Sequence, residues 1–248
     1  MSIADFLIAV RFLTILPLGR GEIVPSGRMA RAMAWFPAVG LLMGGALYAL
    51  DRLLGAVLPG PVESIILVAF LALLTGGMHL DGLADTLDGA FGGRGDRTRA
   101  LEIMKDSRIG AMGAVGLILL LTLKWAALTG ITGHSRMAAL VLMPTLARWS
   151  QAGMAYRAVS ARGESSLATP FMDNLSAGHV ILASTVTLAA AAVFAGAKGL
   201  IAFLIVAAFT GLARAHFNYR LGGVTGDTIG AVSEASEVIV FLAFMVMG

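Results

Sequence analysis

A chain of 248 residues that is 58% hydrophobic and only 13% charged, with a mean hydropathy of +0.86, exceeds the roughly 45–50% apolar content of soluble domains, which excludes water as its main solvent. Its net charge of +3 and pI near 9.7 come from basic residues scattered over short loops, not from a dense patch interleaved with aromatics, so no nucleic-acid partner is expected. Without cysteine, disulfides, thiolate metal sites and cysteine nucleophiles are excluded.

In hydrocarbon every backbone N–H and C=O must pair inside its own segment or in a closed barrel. Long apolar runs without the ten-residue alternation of a barrel predict an all-α polytopic membrane protein, a single domain over 1–248 with about seven transmembrane helices. The first run, 3–18, is short, carries Arg11 and ends at Pro17, which predicts a short N-terminal interfacial helix. Asp5 and the lack of a basic leading region argue against a cleavable signal peptide. The spans then fall at 33–58, 62–88, 110–129, 137–156, 180–195, 200–217 and 229–246. Only Ala195-Gly196-Ala-Lys198-Gly199 joins the fifth to the sixth, which reads as a tight helical hairpin.

Short loops rich in Lys and Arg stay in the cytoplasm. An alternating assignment puts twelve basic residues on one side (Arg20, Arg28, Arg31; Arg94, Arg97, Arg99, Lys105, Arg108; Arg157, Arg162; Arg214, Arg220) and only Arg52, Arg136 and Lys198 on the other. The first side is therefore expected to face the cytoplasm. Gly40-Leu-Leu-Met-Gly44 and Gly110-Ala-Met-Gly113-Ala-Val-Gly116 are read as small faces for close helix packing; homo-oligomerisation is left open.

The segment that bears on chemistry closes the second span: His79-Leu-Asp81-Gly-Leu-Ala-Asp85-Thr-Leu-Asp88-Gly89. Asp81, Asp85 and Asp88 stand at i, i+4 and i+7, which on a helix puts them on one face within roughly 60°. No basic residue lies between them, each carboxylate at mid-membrane costs about 2.5–3.5 kcal/mol, and an all-oxygen ligand set suits Mg²⁺ or Mn²⁺ better than zinc. In the next segment, Glu102-Ile-Met-Lys105-Asp106-Ser107-Arg108, Asp106 adds a fourth carboxylate beside two cations and a hydroxyl, the complement of phosphate oxygens in phosphoryl transfer. Gly222-Gly223-Val-Thr225-Gly-Asp227-Thr228 opens the last span; its amide groups suit an anion, while Thr225 and Asp227 equally suit a helix cap. Glu234 and Glu237 lie deeper in that span, where a metal or Arg partners would account for them, and Lys124 and Arg148 are the other charges inside spans.

These strings resemble one family, cobalamin synthase, also called adenosylcobinamide-GDP ribazoletransferase. The resemblance rests on Phe12-Leu-Thr14 with Leu16-Pro17, Phe36-Pro37 with Gly40, the His79–Gly89 and Leu101–Gly110 segments, Gly222-Gly-x-Thr-Gly-Asp227, Gly230-Ala231 and Glu234. It implies a multi-pass enzyme of the cytoplasmic (inner) membrane in cobalamin biosynthesis, with Mg²⁺, or Mn²⁺, as cofactor and its active site facing the cytoplasm. In that family α-ribazole, or its 5′-phosphate, displaces GMP from adenosylcobinamide-GDP. Carried onto this chain, it implies Asp81, Asp85, Asp88 and Asp106 as metal ligands. His79, Lys105, Ser107, Arg108, Thr225 and Asp227 follow as substrate contacts, and Asp88 or Asp106 as the proton acceptor. The loop 157–177, with Arg162-Gly163-Glu164 and Pro170-Phe171, matches the family less well and receives no role. Two other readings are a CDP-alcohol phosphotransferase, whose Ala-Arg signature Ala84-Asp85 does not match, and an ion-coupled transporter.

Overall fold

The computed structural model describes residues 2–18, 24–163 and 169–248; Arg20 and Glu164 lie outside the described residues. Its helices are α1 (Ile3–Leu13), α2 (Ser26–Met33), α3 (Phe36–Leu54), α4 (Gly60–Leu74), α5 (Met78–Gly92), α6 (Arg97–Ile103), α7 (Ala111–Gly130), α8 (Gly133–Ala155), α9 (Thr169–Met172), α10 (Ala177–Leu221) and α11 (Gly226–Met247). Among the described residues no strand forms beyond one isolated bridge, Ser160 to Val224. The all-α expectation holds. Four helices, α3, α7, α10 and α11, are long and apolar enough to cross a bilayer, and the bent pair α4–α5 is a fifth if counted as one span.

A capping box of Ser2 and Asp5 starts α1, which has 11 residues, too few at about 1.5 Å each to cross a bilayer. The buried Asp5 carboxylate binds Arg28 and Arg31 of α2 at 3.4 Å each. α8 is the pillar against which α3, α10 and α11 pack. It carries Thr145, Arg148, Ser150 and Gln151, all buried, so its polar residues face protein rather than lipid. At the α3–α8 contact a Cβ on Gly40 would lie 2.8 Å from the Thr145 Cα, and one on Gly44 2.7 Å from the Val141 Cα, which confirms the close packing read from that motif.

The hairpin expected at 195–199 is present inside α10. Gly196 leaves helical geometry at φ 54°, ψ −129°, and Trp149 then touches both arms: its Nε1 donates to Ser184 Oγ at 2.9 Å and its ring lies 4.6 Å from that of Phe203. A continuous helix would hold those two residues about 28 Å apart. The second predicted span differs. Gly76 and Gly77 take φ of 62° and 71°, a left-handed conformation that a side chain opposes, and the chain leaves α4 to start α5 at 89°. The aspartate stripe therefore sits on a separate helix, not on the last turns of α4.

The fold separates two polar ends. At one, Arg136 binds Asp51 at 2.6 Å and Glu63 at 3.5 Å, and Lys198 donates to the Gly248 carbonyl. The other gathers α5, α6, the loop after α8 and the start of α11, the segments assigned above to the cytoplasmic side. Between them, Lys124 is ion-paired with Glu234 and Glu237, and Arg148 binds Glu237 at 2.6 Å, with all four side chains buried. The four intramembrane charges thus neutralise one another.

Candidate functional site

The site is assembled around α5. Gly82 lets α5 approach the start of α11 until an added Cβ would stand 2.9 Å from the Asp227 Cα. Gly110 and Gly113 bring α7 so near that their amides donate to both oxygens of Asp88, at 2.7 and 2.8 Å. Asp88 therefore caps α7, where a carboxylate also faces the positive end of the helix dipole. Asp81 is exposed and Asp85 half-buried, and among the described residues neither side chain has a hydrogen bond or ion pair. Asp85 is desolvated and feels the repulsive fields of Asp81, Asp227 and Asp88, with Arg162 opposing them.

Arg162 arrives from the loop after α8. The αL residue Gly222 (φ 67°) ends α10, and the next residues pair with that loop, Val224 N donating to Val159 O and Ala161 N to Val224 O, both at 2.9 Å. There Arg162 binds Asp227 at 2.6 Å and the Met104 carbonyl at 3.0 Å. Thr225 is buried and caps α11, accepting from Thr228 N at 3.1 Å; of the two roles open to it, capping is the one seen. Asp106 is held by both the side chain and the backbone of Arg108, which push its carboxyl down to about 2. Arg108 itself is 87% exposed, and Ser107 is exposed beside it.

A cavity of about 570 Å³ lies against these groups, within the roughly 300–1,000 Å³ of small-molecule sites. Its charged lining is Asp81, Lys105, Arg162 and Asp227. His79 and Gln151 also line it, and its apolar lining comes from Phe12, Met33, Phe36, Met78 and Phe171. Of the residues singled out from sequence, His79, Asp81, Lys105 and Asp227 share this cavity, whereas Asp85, Asp88, Asp106, Ser107, Arg108 and Thr225 do not line it. A cavity lined by acids and bases together with aromatic side chains suits an anionic ligand with a bulky apolar part.

The family model described as cobalamin-5-phosphate synthase matches residues 5–245. The chain belongs to that family. Its relatives include the adenosylcobinamide-GDP ribazoletransferases of Geotalea daltonii, 39% identical over 98% of this chain and 97% of that one, and of a Roseiflexus species, 42% identical over 93% and 85%. The Pseudomonas aeruginosa protein of the same name is 37% identical over 98% of both chains. No solved structure matches. Neither the CDP-alcohol phosphotransferase nor the transporter reading finds support in these comparisons.

For this member of the family, sequence reasoning missed Arg162, Gln151 and the aromatic lining. Phe12 and Phe36 stand inside strings that carried the resemblance, so a signal for them was present. Arg162 had none: its partner Asp227 lies far along the chain, and the two meet where residues 222–224 pair with the loop after α8.

Proposed function

We propose that this chain is a transferase of the cytoplasmic membrane that joins α-ribazole, or its 5′-phosphate, to adenosylcobinamide-GDP with release of GMP. The site faces the cytoplasm and takes Mg²⁺. The observation that carries the reading is the meeting of Asp81, Lys105, Arg162 and Asp227 in the lining of a single cavity, beside Asp85. The family membership and the names of the relatives support the reaction, and the bias of basic residues supports the orientation.

Among the described residues, no group of three or more His, Asp or Glu side chains is gathered to enclose an ion. Mg²⁺ typically binds through one or two carboxylates plus substrate phosphates and water. Asp81 and Asp85, without other partners and pressed by like charge, fit that mode; the two remaining expected ligands, Asp88 and Asp106, already hold amide groups and Arg108. Bound there, Mg²⁺ would supply charge neutralisation for the diphosphate.

In this reading Lys105 and Arg162 bind diphosphate oxygens, Arg162 being oriented by Asp227 and the Met104 carbonyl. A ribazole hydroxyl attacks the phosphorus on the cobinamide side. The P–O bond to GMP breaks, GMP leaves with that electron pair, and the hydroxyl proton passes to a carboxylate. We assign the proton to an Asp85 oxygen left off the ion rather than to Asp88 or Asp106, because each of those has both oxygens engaged within the protein and Asp106 is too acidic to be an effective base.

The test is direct. Purified protein with adenosylcobinamide-GDP, α-ribazole and Mg²⁺ is expected to release GMP and form adenosylcobalamin in equal amounts. Absence of GMP from well-folded protein would falsify the reading.

A further inference from the structure

The transfer chemistry leaves one acceptor of the cavity unused. Gln151 stands near the C-terminal end of α8, is 2% exposed and lines the cavity. Its Nε2 donates to Ser233 Oγ at 2.9 Å and lies 3.0 Å from His79 Nε2. Ser233 decides which end of the amide faces it. The one hydroxyl hydrogen of Ser233 goes to the Ala147 carbonyl at 3.3 Å, and Arg148 Nη1 donates to the same hydroxyl at 3.3 Å. Toward Gln151, Ser233 Oγ therefore has only a lone pair to offer, and the group facing it is the amide nitrogen. That nitrogen has two hydrogens and no lone pair, so the second goes to His79 Nε2.

Both amide hydrogens are thus committed, and Oε1 is left over. It has no hydrogen-bond partner among the described residues, and it is not sealed from solvent, unlike His79 Nδ1 beside it. Since the rest of Gln151 is packed inside the helix bundle, the surface that Oε1 keeps is the part of the residue that lines the cavity. A buried side chain fixed by two hydrogen bonds, with its one free atom open to a cavity, is preorganised for a ligand.

The chemistry of that atom restricts what it takes. Oε1 is neutral and only accepts, so its ligand group is a neutral donor. The charged lining holds the diphosphate, and in a nucleotide or nucleoside the neutral donors nearest to a phosphate or an attacking oxygen are the ribose hydroxyls. Guanine presents its ring N–H and its amine as a pair, which the two oxygens of a carboxylate match and a single amide oxygen does not.

We infer that, on the function proposed above, Gln151 Oε1 accepts a hydrogen bond from a ribose hydroxyl of a substrate, which makes Gln151 a specificity-determining residue. Both α-ribazole and the guanosine end of adenosylcobinamide-GDP carry such a sugar. Calorimetry on the purified full-length chain separates them, with the monodeoxy forms of α-ribazole in one series and adenosylcobinamide-GDP made with 2′- or 3′-deoxyguanosine in the other, each against its parent. One deoxy form is expected to bind about tenfold more weakly than its parent, the effect of a lost hydrogen bond that leaves a buried acceptor unpaired. The series in which it falls identifies the substrate.

Gln151→Met keeps the length of the side chain and removes the oxygen. In that variant the parent should bind about tenfold more weakly and the same deoxy form no worse than its parent. A purely structural role would weaken both alike and preserve the ratio between them. If Gln151→Met does not fold, Ser233→Ala frees the amide to turn and should cut the ratio to about threefold. Deoxy forms that all bind like their parents, or a ratio unchanged in the variant, overturn the assignment, while wild-type GMP release leaves the reaction standing. Wild-type protein that shows the Gln151-dependent ratio but releases no GMP overturns the reaction and keeps the hydroxyl acceptor; protein that does neither overturns both.

Discussion

Arg162 Nη2 meets Asp227 Oδ2 at 2.6 Å, so the loop after α8 and the first turn of α11 share one charge pair on the wall of the cavity. The same guanidinium also holds the Met104 carbonyl at 3.0 Å. One side chain therefore fixes three segments and leaves a cation beside the aspartates of α5.

Removing that cation is expected to hurt the transfer more than the fold. Arg162→Ala should lower kcat/KM for GMP release by on the order of a hundredfold, the cost of losing one preorganised donor at a transferring group. Arg162→Lys should recover little of it, because a point ammonium cannot hold Asp227 and Met104 in the same fork geometry. Full activity in the lysine variant would show that charge alone suffices.

The three aspartates of the α5 stripe are expected to separate in a melting experiment. Asp88→Ala removes the cap from α7 and should destabilise the protein by about 0.5–2 kcal/mol, with or without metal. Asp81→Asn relieves repulsion on Asp85 and should melt no lower than wild type. An Asp81→Asn variant that melts well below wild type in chelator contradicts the electrostatic account.

Magnesium should raise the wild-type melting temperature in a concentration-dependent way, since a ligand that binds only the folded state stabilises it by mass action. That increment is expected to vanish in the Asp81→Asn, Asp85→Asn double variant and to persist in Asp106→Asn, whose carboxylate is occupied by Arg108. Retention of the full shift in the double variant places the ion elsewhere.

Glu237 is the hub of the buried charges, bound by both Lys124 and Arg148. Glu237→Gln leaves the interior with surplus positive charge and should cost about 3–5 kcal/mol, read as loss of folded protein after detergent extraction. Combining it with Lys124→Met restores the balance of charge, and the pair should be more stable than Glu237→Gln alone.

Two adjacent glycines of α3 offer a control on packing. A Cβ at Gly44 would run into the Val141 backbone, whereas one at Gly45 meets nothing within 4 Å. Gly44→Ala should destabilise by about 1–3 kcal/mol through separation of α3 from α8. Gly45→Ala should be neutral or stabilising by up to about 1 kcal/mol, the helix-propensity gain over glycine. Equal melting of the two variants would refute the contact.

By itself the amino-acid sequence determined whatever depends on neighbours a few positions away. Apolar runs set the helices, Gly196 the hairpin, and the spacing of Asp81, Asp85 and Asp88 their common face, because helical periodicity is a local property. Even the family resemblance was legible there, in strings that the fold brings together at one end. Tertiary structure alone decided which charge answers which. Asp88 spends its carboxylate on α7 because Gly110 and Gly113 admit it so closely. Lys124 and Arg148 meet Glu234 and Glu237 inside the helix bundle, and Arg162 reaches Asp227 where residues 222–224 pair with the loop after α8. Burial makes a charge need a partner, but which partner lies within 3 Å is set by how whole helices pack, and no periodicity encodes that.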